Sequence, residues 1–88
     1  MAKNKKCKRV SSLNELKSMC ERKQTSFFIH LNFGMRSSKS IYYEPVTDSF
    51  TVLNEIDDTE QVLNSKQIMD DDYTNIGKAI RFGSFYKY

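Results

Sequence analysis

Residues 25–56 read TSFFIHLNFGMRSSKSIYYEPVTDSFTVLNEI. Their apolar side chains alternate instead of recurring every third or fourth position. Phe27, Ile29, Leu31 and Phe33 fall on one side of an extended chain, and Phe28, His30 and Asn32 on the other. In the next run Ile41 and Tyr43 oppose Tyr42. Pro45 closes that run, because proline brings no N–H to a ladder. VTDS, residues 46–49, has turn chemistry. Phe50, Val52 and Asn54 then oppose Thr51, Leu53 and Glu55. Short connections between three such strands predict an antiparallel meander.

Outward from this segment the period changes. In SSLNELKSMCERKQ, residues 11–24, Ser12 and Glu15 have capping-box spacing. Leu13, Leu16, Met19 and Cys20 form one apolar stripe, and Arg22 and Lys23 suit a helix C-terminus. The pattern predicts a helix over residues 12–23. On the other side, DDTEQ at 57–61 reads as an acidic connector. Asn64 or Ser65 caps a short helix running to about Met69, and Asp72 or Thr74 caps a second one with Ile76, Ala79, Ile80 and Phe82 inward. Gly77 costs such a helix about 1 kcal/mol relative to alanine, or else permits close packing against the sheet. Gly83 ends the helix, and the aromatic SFYKY that follows is suited to docking.

The predicted fold is therefore α+β: an N-terminal helix, a three-stranded antiparallel β-meander, and one or two short C-terminal helices on one sheet face. Its core uses Leu16, Ile29, Leu31, Ile41, Val52, Ile76 and Ile80. The other face then shows Phe28, His30, Tyr42 and Leu53, a large aromatic surface if open to water. The 88 residues make one domain over residues 11–88, preceded by a basic arm, MAKNKKCKRV, with almost nothing to bury and expected to be flexible.

Charge is unevenly spread. Residues 1–40 hold ten Lys or Arg against two Glu, while residues 41–88 hold four against nine Asp or Glu. Such polarity steers anionic and cationic partners to opposite ends, or pairs the halves within the fold. Apolar runs are too short for a membrane span or a signal peptide, so a cytoplasmic protein with no membrane partner is expected. Cys7 and Cys20 have no metal-site spacing, and a reduced state suits them.

Functional motifs are mostly excluded. GMRSSKS, residues 34–40, departs from a phosphate-binding loop, because Ser38 stands where the second glycine is needed and the segment joins strand to strand. It reads as a hairpin, with Arg36 and Lys39 at the tip able to contact an anion. Glu55, Asp57, Asp58, Glu60 and Asp70 to Asp72 lack the order of a calcium loop. His30 has no nucleophile or acid beside it, and no catalytic signature is present. No enzyme activity, metal or cofactor is expected.

LNFGMRSSKSIYY, NEIDDTEQ and TNIGKAI, in that order over residues 26–81, resemble small proteins without assigned activity from tailed phages and prophages of gut bacteria. The resemblance implies a phage accessory protein: a virion component, a host-takeover factor or a defence inhibitor. It carries over no functional residue. Two function classes follow from the residues themselves. The first is a non-enzymatic protein-binding module using Phe28, His30 and Tyr42 on the sheet face with the acidic Asp57, Asp58 and Glu60. The second is a nucleic-acid binder using Lys3, Lys5, Lys6, Lys8 and Arg9 in the arm and Arg36 with Lys39 at the hairpin tip. Bases stacked on sheet aromatics would suit that second class, although the RNA-recognition strand plan and its signature motif are absent.

Overall fold

The computed structural model describes residues 7–31 and 34–88. In chain order they form β1 (Lys8–Arg9), α1 (Leu13–Cys20), β2 (Thr25–His30), β3 (Arg36–Glu44), β4 (Ser49–Asn54), β5 (Thr59–Leu63), α2 (Ser65–Ile68), α3 (Ile76–Phe82) and β6 (Phe85–Lys87). The strands make one sheet in the order β1-β6-β2-β3-β4-β5, with every neighbouring pair antiparallel. This overturns the three-stranded meander. The meander has four strands, β2 to β5, and β6 slots between β1 and β2 to give six. Among the described residues the fold is mostly sheet, with three short helices.

The added strands have local causes. DDTEQ is a turn and a strand, not a connector. Residues 55–58 form a four-residue turn closed by the Asp58 N–H on the Asn54 carbonyl at 2.8 Å, with Asp58 at φ 62°. Residues 45–48 form a second four-residue turn, with Asp48 at φ 51° and its N–H on the Pro45 carbonyl at 3.4 Å. Aspartate tolerates this left-handed backbone better than most residues. At the other side, SFYKY docks as a strand. Phe85 pairs with Ile29, Tyr86 with Phe28 and Lys87 with Phe27. Lys8 and Arg9 then pair with Lys87 and Tyr86, and Val10 is fully buried. The basic segment is therefore tied into the sheet from Lys8 onward. Lys3, Lys5 and Lys6 lie outside the described residues.

All three helices lie on one side. Leu16 and Cys20 of α1, Ile68 of α2 and Ile76, Ala79 and Ile80 of α3 join one core cluster. From the sheet come Phe27, Ile29, Ile41, Tyr43, Phe50, Val52, Leu63 and Phe85. Fully burying each large side chain contributes about 1.5–3 kcal/mol. Leu31, expected in this core, is 40% exposed. β2 ends at His30, and the Leu31 N–H instead closes the hairpin on the Met35 carbonyl at 2.8 Å. Phe82, expected inward, is 73% exposed, since two residues beyond Ile80 is the opposite side of a helix.

The helix ends follow their caps. Ser12 Oγ accepts the Glu15 N–H at 3.2 Å, while the Glu15 carboxylate reaches the Ser11 N–H at 2.6 Å. α1 stops at Cys20, short of the expected Lys23. Arg22 adopts φ 55° and its N–H bonds the Tyr43 carbonyl at 2.8 Å, so these residues extend the sheet edge beside β3. Asn64 and Gln67 form a capping box on α2. A Cβ on Gly77 would stand 2.5 Å from the Met69 carbonyl oxygen. This glycine therefore admits α3 against the end of α2, not against the sheet.

One polar tie crosses the core edge. Asp48 accepts hydrogen bonds from the Tyr43 hydroxyl at 2.9 Å, the Ser65 N–H at 3.2 Å and the Ser65 hydroxyl. It thereby joins β3, the β3–β4 turn and α2. The two Ser65 bonds hold the Asp48 carboxyl below the usual carboxylate range. Cys20 is a free thiol in the core, and burial pushes its pKa up to about 12. Cys7 is free and half-buried.

Candidate functional site

The face of the sheet away from the helices is built by strand parity. Phe28 of β2, Ser38, Ser40 and Tyr42 of β3, Thr51 and Leu53 of β4 and Glu60 and Val62 of β5 all point there. Two cross-strand rows are in register: Tyr42, Thr51 and Val62, and beside it Ser40, Leu53 and Glu60. Tyr42 and Leu53 are half-buried by their neighbours, and Val62 is 63% exposed. None of these residues belongs to the helix-packed core.

Phe28 was expected on this surface, and it does point outward, but it is only 3% exposed. β6 covers it. The Tyr86 ring stacks on Phe28 at 5.3 Å between centroids, Tyr88 leans on it at 4.7 Å, and the Arg36 guanidinium sits 4.4 Å from its centroid. The Tyr88 and Ser38 hydroxyls are 2.8 Å apart, and Arg36 also reaches the Tyr88 ring at 5.8 Å. Cation–π contacts at such exposed positions contribute about 0.5–1 kcal/mol each. The outward surface is thus a closed aromatic cap at the β6 end and an open patch of Tyr42, Leu53 and Val62 toward β5.

The remaining candidates separate. Arg36 and Lys39 are not together at a hairpin tip. β3 begins at Arg36, and three residues along a strand reverse the face. Arg36 lies outward on the cap. Lys39 lies inward, where its Nζ donates to Asn54 Oδ1 at 2.5 Å. Burial lowers the Lys39 pKa, opposed in part by the charge of Asp57. His30 is exposed, pairs with Arg36 across the hairpin and donates its backbone N–H to the Ser84 carbonyl at 2.8 Å. Asp57 and Asp58 occupy the β4–β5 turn. Asp57 accepts the Thr59 hydroxyl at 2.7 Å and the Thr59 N–H at 3.2 Å, which hold its carboxyl below the ordinary range. Glu60 borders the open patch. Lys8 pairs with Glu15 at 3.8 Å, and the Arg9 side chain lies over Gly83.

Tyr86, Tyr88 and Val62 were missed as members of this surface. Strand alternation through 85–88 was the available signal for the tyrosines. For Val62 it was the second aspartate turn, which matches the first in length.

Among the described residues, no group of three or more His, Cys, Asp and Glu is arranged to hold a metal ion. No helix among them is long and apolar enough to cross a membrane. No family model, curated protein or solved structure matches the chain.

Proposed function

We propose that this chain is a non-enzymatic binding module that docks a protein partner on the open patch of its outer sheet face. The observation that supports this reading is the one-sided placement of the helices. It leaves Tyr42 and Val62 on either side of Thr51 in one cross-strand row, with Leu53 in the row beside it. Tyrosine suits such a surface, since it offers a large contact area and a polar tip at small entropic cost. Asp57, Asp58 and Glu60 form an acidic rim, which favours a partner with basic residues around an apolar centre. The resemblance to phage proteins makes a bacterial cytoplasmic protein the natural partner for an accessory protein of that type.

The nucleic-acid reading is weaker in geometry. Arg36 and Lys39 lie on opposite faces, and Lys8 is engaged with Glu15. The test is affinity purification from a gut-bacterial lysate, with nuclease treatment of half the sample. A protein partner should survive nuclease, survive removal of residues 1–6, and be lost with Val62→Lys. Loss of retention on nuclease treatment, together with loss on removing residues 1–6, would instead support nucleic acid.

A further inference from the structure

On the helix side of the sheet, one end of the core is not closed. β2 and β3 run on past the apolar cluster toward their hairpin, and α3 crosses above them without sealing the gap. The result is a cleft of about 550 Å³, within the size range of small-molecule sites. Ile29, Ser37 and Lys39 lie on its sheet side, Lys78 and Phe82 on α3, and Leu31 at the hairpin.

Lys39 is the unusual member. It shares the inward face of the central strand with Ile41 and Tyr43, both buried, and stands in register between Phe27 and Asn54. Lys39 is half-buried, and the charge of Asp57 reaches it without making an ion pair. Among the described residues no carboxylate lies within 4 Å of it, since the ion pairs found there involve other side chains. Its hydrogen-bond partner there is the neutral amide of Asn54. An ammonium carries three donors, so donor capacity remains beside an open cavity. Lys78 supplies a second cation to the same cleft, and Ser37 lies on its wall. The remaining lining is mixed: Leu31, Ala79 and Phe82 are apolar, and His30, Asn75 and Ser84 are polar. Phe82 is 73% and Leu31 40% exposed, so both offer apolar surface to whatever enters the cleft.

We propose that this cleft binds a small organic anion, a carboxylate or phosphate carried on a short apolar body, with Lys39 and Lys78 holding the anionic group and Leu31 and Phe82 covering the body. The site lies on the opposite side of the sheet from the protein-binding patch and is independent of it.

The test is a ¹H–¹⁵N NMR titration of the full chain with octanoate, phenyl phosphate and AMP, and with octanol and phenol as neutral counterparts. At least one anion should give saturable shifts confined to Ser37, Lys78, Ser84 and their neighbours at concentrations up to about 10 mM. The neutral counterparts should bind roughly tenfold or more weakly, the size of one lost charge-assisted hydrogen bond. Lys39→Met keeps the length of the side chain and should weaken the anion by a similar factor while preserving the spectrum elsewhere. Lys78→Ala, on the exposed side of α3, gives the same reading if Lys39→Met disturbs folding. Val62→Lys should leave the titration unchanged. Absence of saturation by every anion, equal binding of anions and neutral counterparts, or shifts unaffected by either lysine variant would overturn the proposal.

Discussion

Phe27 and Phe28 are neighbours on β2 and nearly equal in burial, 0% and 3% exposed. Each stacks on a ring from β6 at the same separation. Phe27 meets Phe85 at 5.3 Å and 9°, and Phe28 meets Tyr86 at 5.3 Å and 14°. What lies beyond the rings differs. Phe27 is part of the core that all three helices close. Phe28 is roofed by Tyr86, Tyr88 and Arg36, side chains with polar tips and no helix above them. The helix-covered side is a packed interior whose volume cannot change cheaply. The other is a roof of side chains that can close over a loss. Equal exposure therefore does not mean equal energetic weight.

The sharpest break in that comparison removes both partner rings at once. Ending the chain after Ser84 takes Phe85 from one face and Tyr86 from the other and leaves β1 unpaired. The expected result is loss of cooperative thermal unfolding by circular dichroism. Separating the two sides comes next. Phe27→Ala should cost about 3–5 kcal/mol, the usual range for a core phenylalanine. Phe28→Ala should cost less than about 3 kcal/mol, because the roof can settle into the space. Urea unfolding of both variants checks the order, and equal losses would show that the outer roof is as rigid as the core.

Within the helix-covered side, Gly77→Ala gains helix propensity but drives a methyl group against the Met69 carbonyl. A net loss of about 1–3 kcal/mol is expected from the overpacking, measured by the same unfolding curves. Asp48 gives a pH signature on that side. Its carboxyl is held below the usual range, so its contribution is present above about pH 4, the ordinary carboxylate value. That contribution fades as pH falls toward the lower folded-state pKa. Asp48→Asn, which tolerates the left-handed backbone, should unfold at lower urea at neutral pH. It should also lose less stability than the parent on acidification below pH 4. The smallest effect belongs to the roof. Tyr88→Phe removes an exposed hydroxyl contact to Ser38 and should shift stability by no more than about 1 kcal/mol.

Much of the sheet was legible. Alternation across Phe27–Ile29, Ile41–Tyr43 and Phe50–Val52 marked three strands, and Ser12, Asn64 and Gly83 marked helix ends. β5 escaped because Thr59, Glu60 and Gln61 are polar on both faces, as an edge strand allows. Its turn, with Asp58 placed as Asp48 is, carried the missing signal. β6 and β1 are three and two residues long, too short for a period to show, and their strand character comes from the partners beside them. The site was partly legible for the same reason. Tyr42 and Glu60 follow from parity, but Ser37 and Ser38 hide where β3 begins. Arg36 and Lys39 therefore looked like one pair, when the strand sends them to opposite sides. The cleft depends on the height at which α3 crosses the sheet, a tertiary property that no local pattern encodes.

The placement of β6 also sets a timetable. Its pairing with β1 joins Lys8 to Lys87, so a loop of nearly the whole chain must close before that ladder forms. Closure of long loops is entropically costly, and non-local pairing slows folding. The β2–β5 meander and its turns can assemble from near neighbours, whereas β2 keeps a bare edge until residues 85–87 arrive. An exposed edge flanked by two unstacked phenylalanines is a template for pairing with another chain. The interval before β6 docks is therefore when this protein is most exposed to aggregation, and a faster-docking β6 would shorten it even with unchanged final stability.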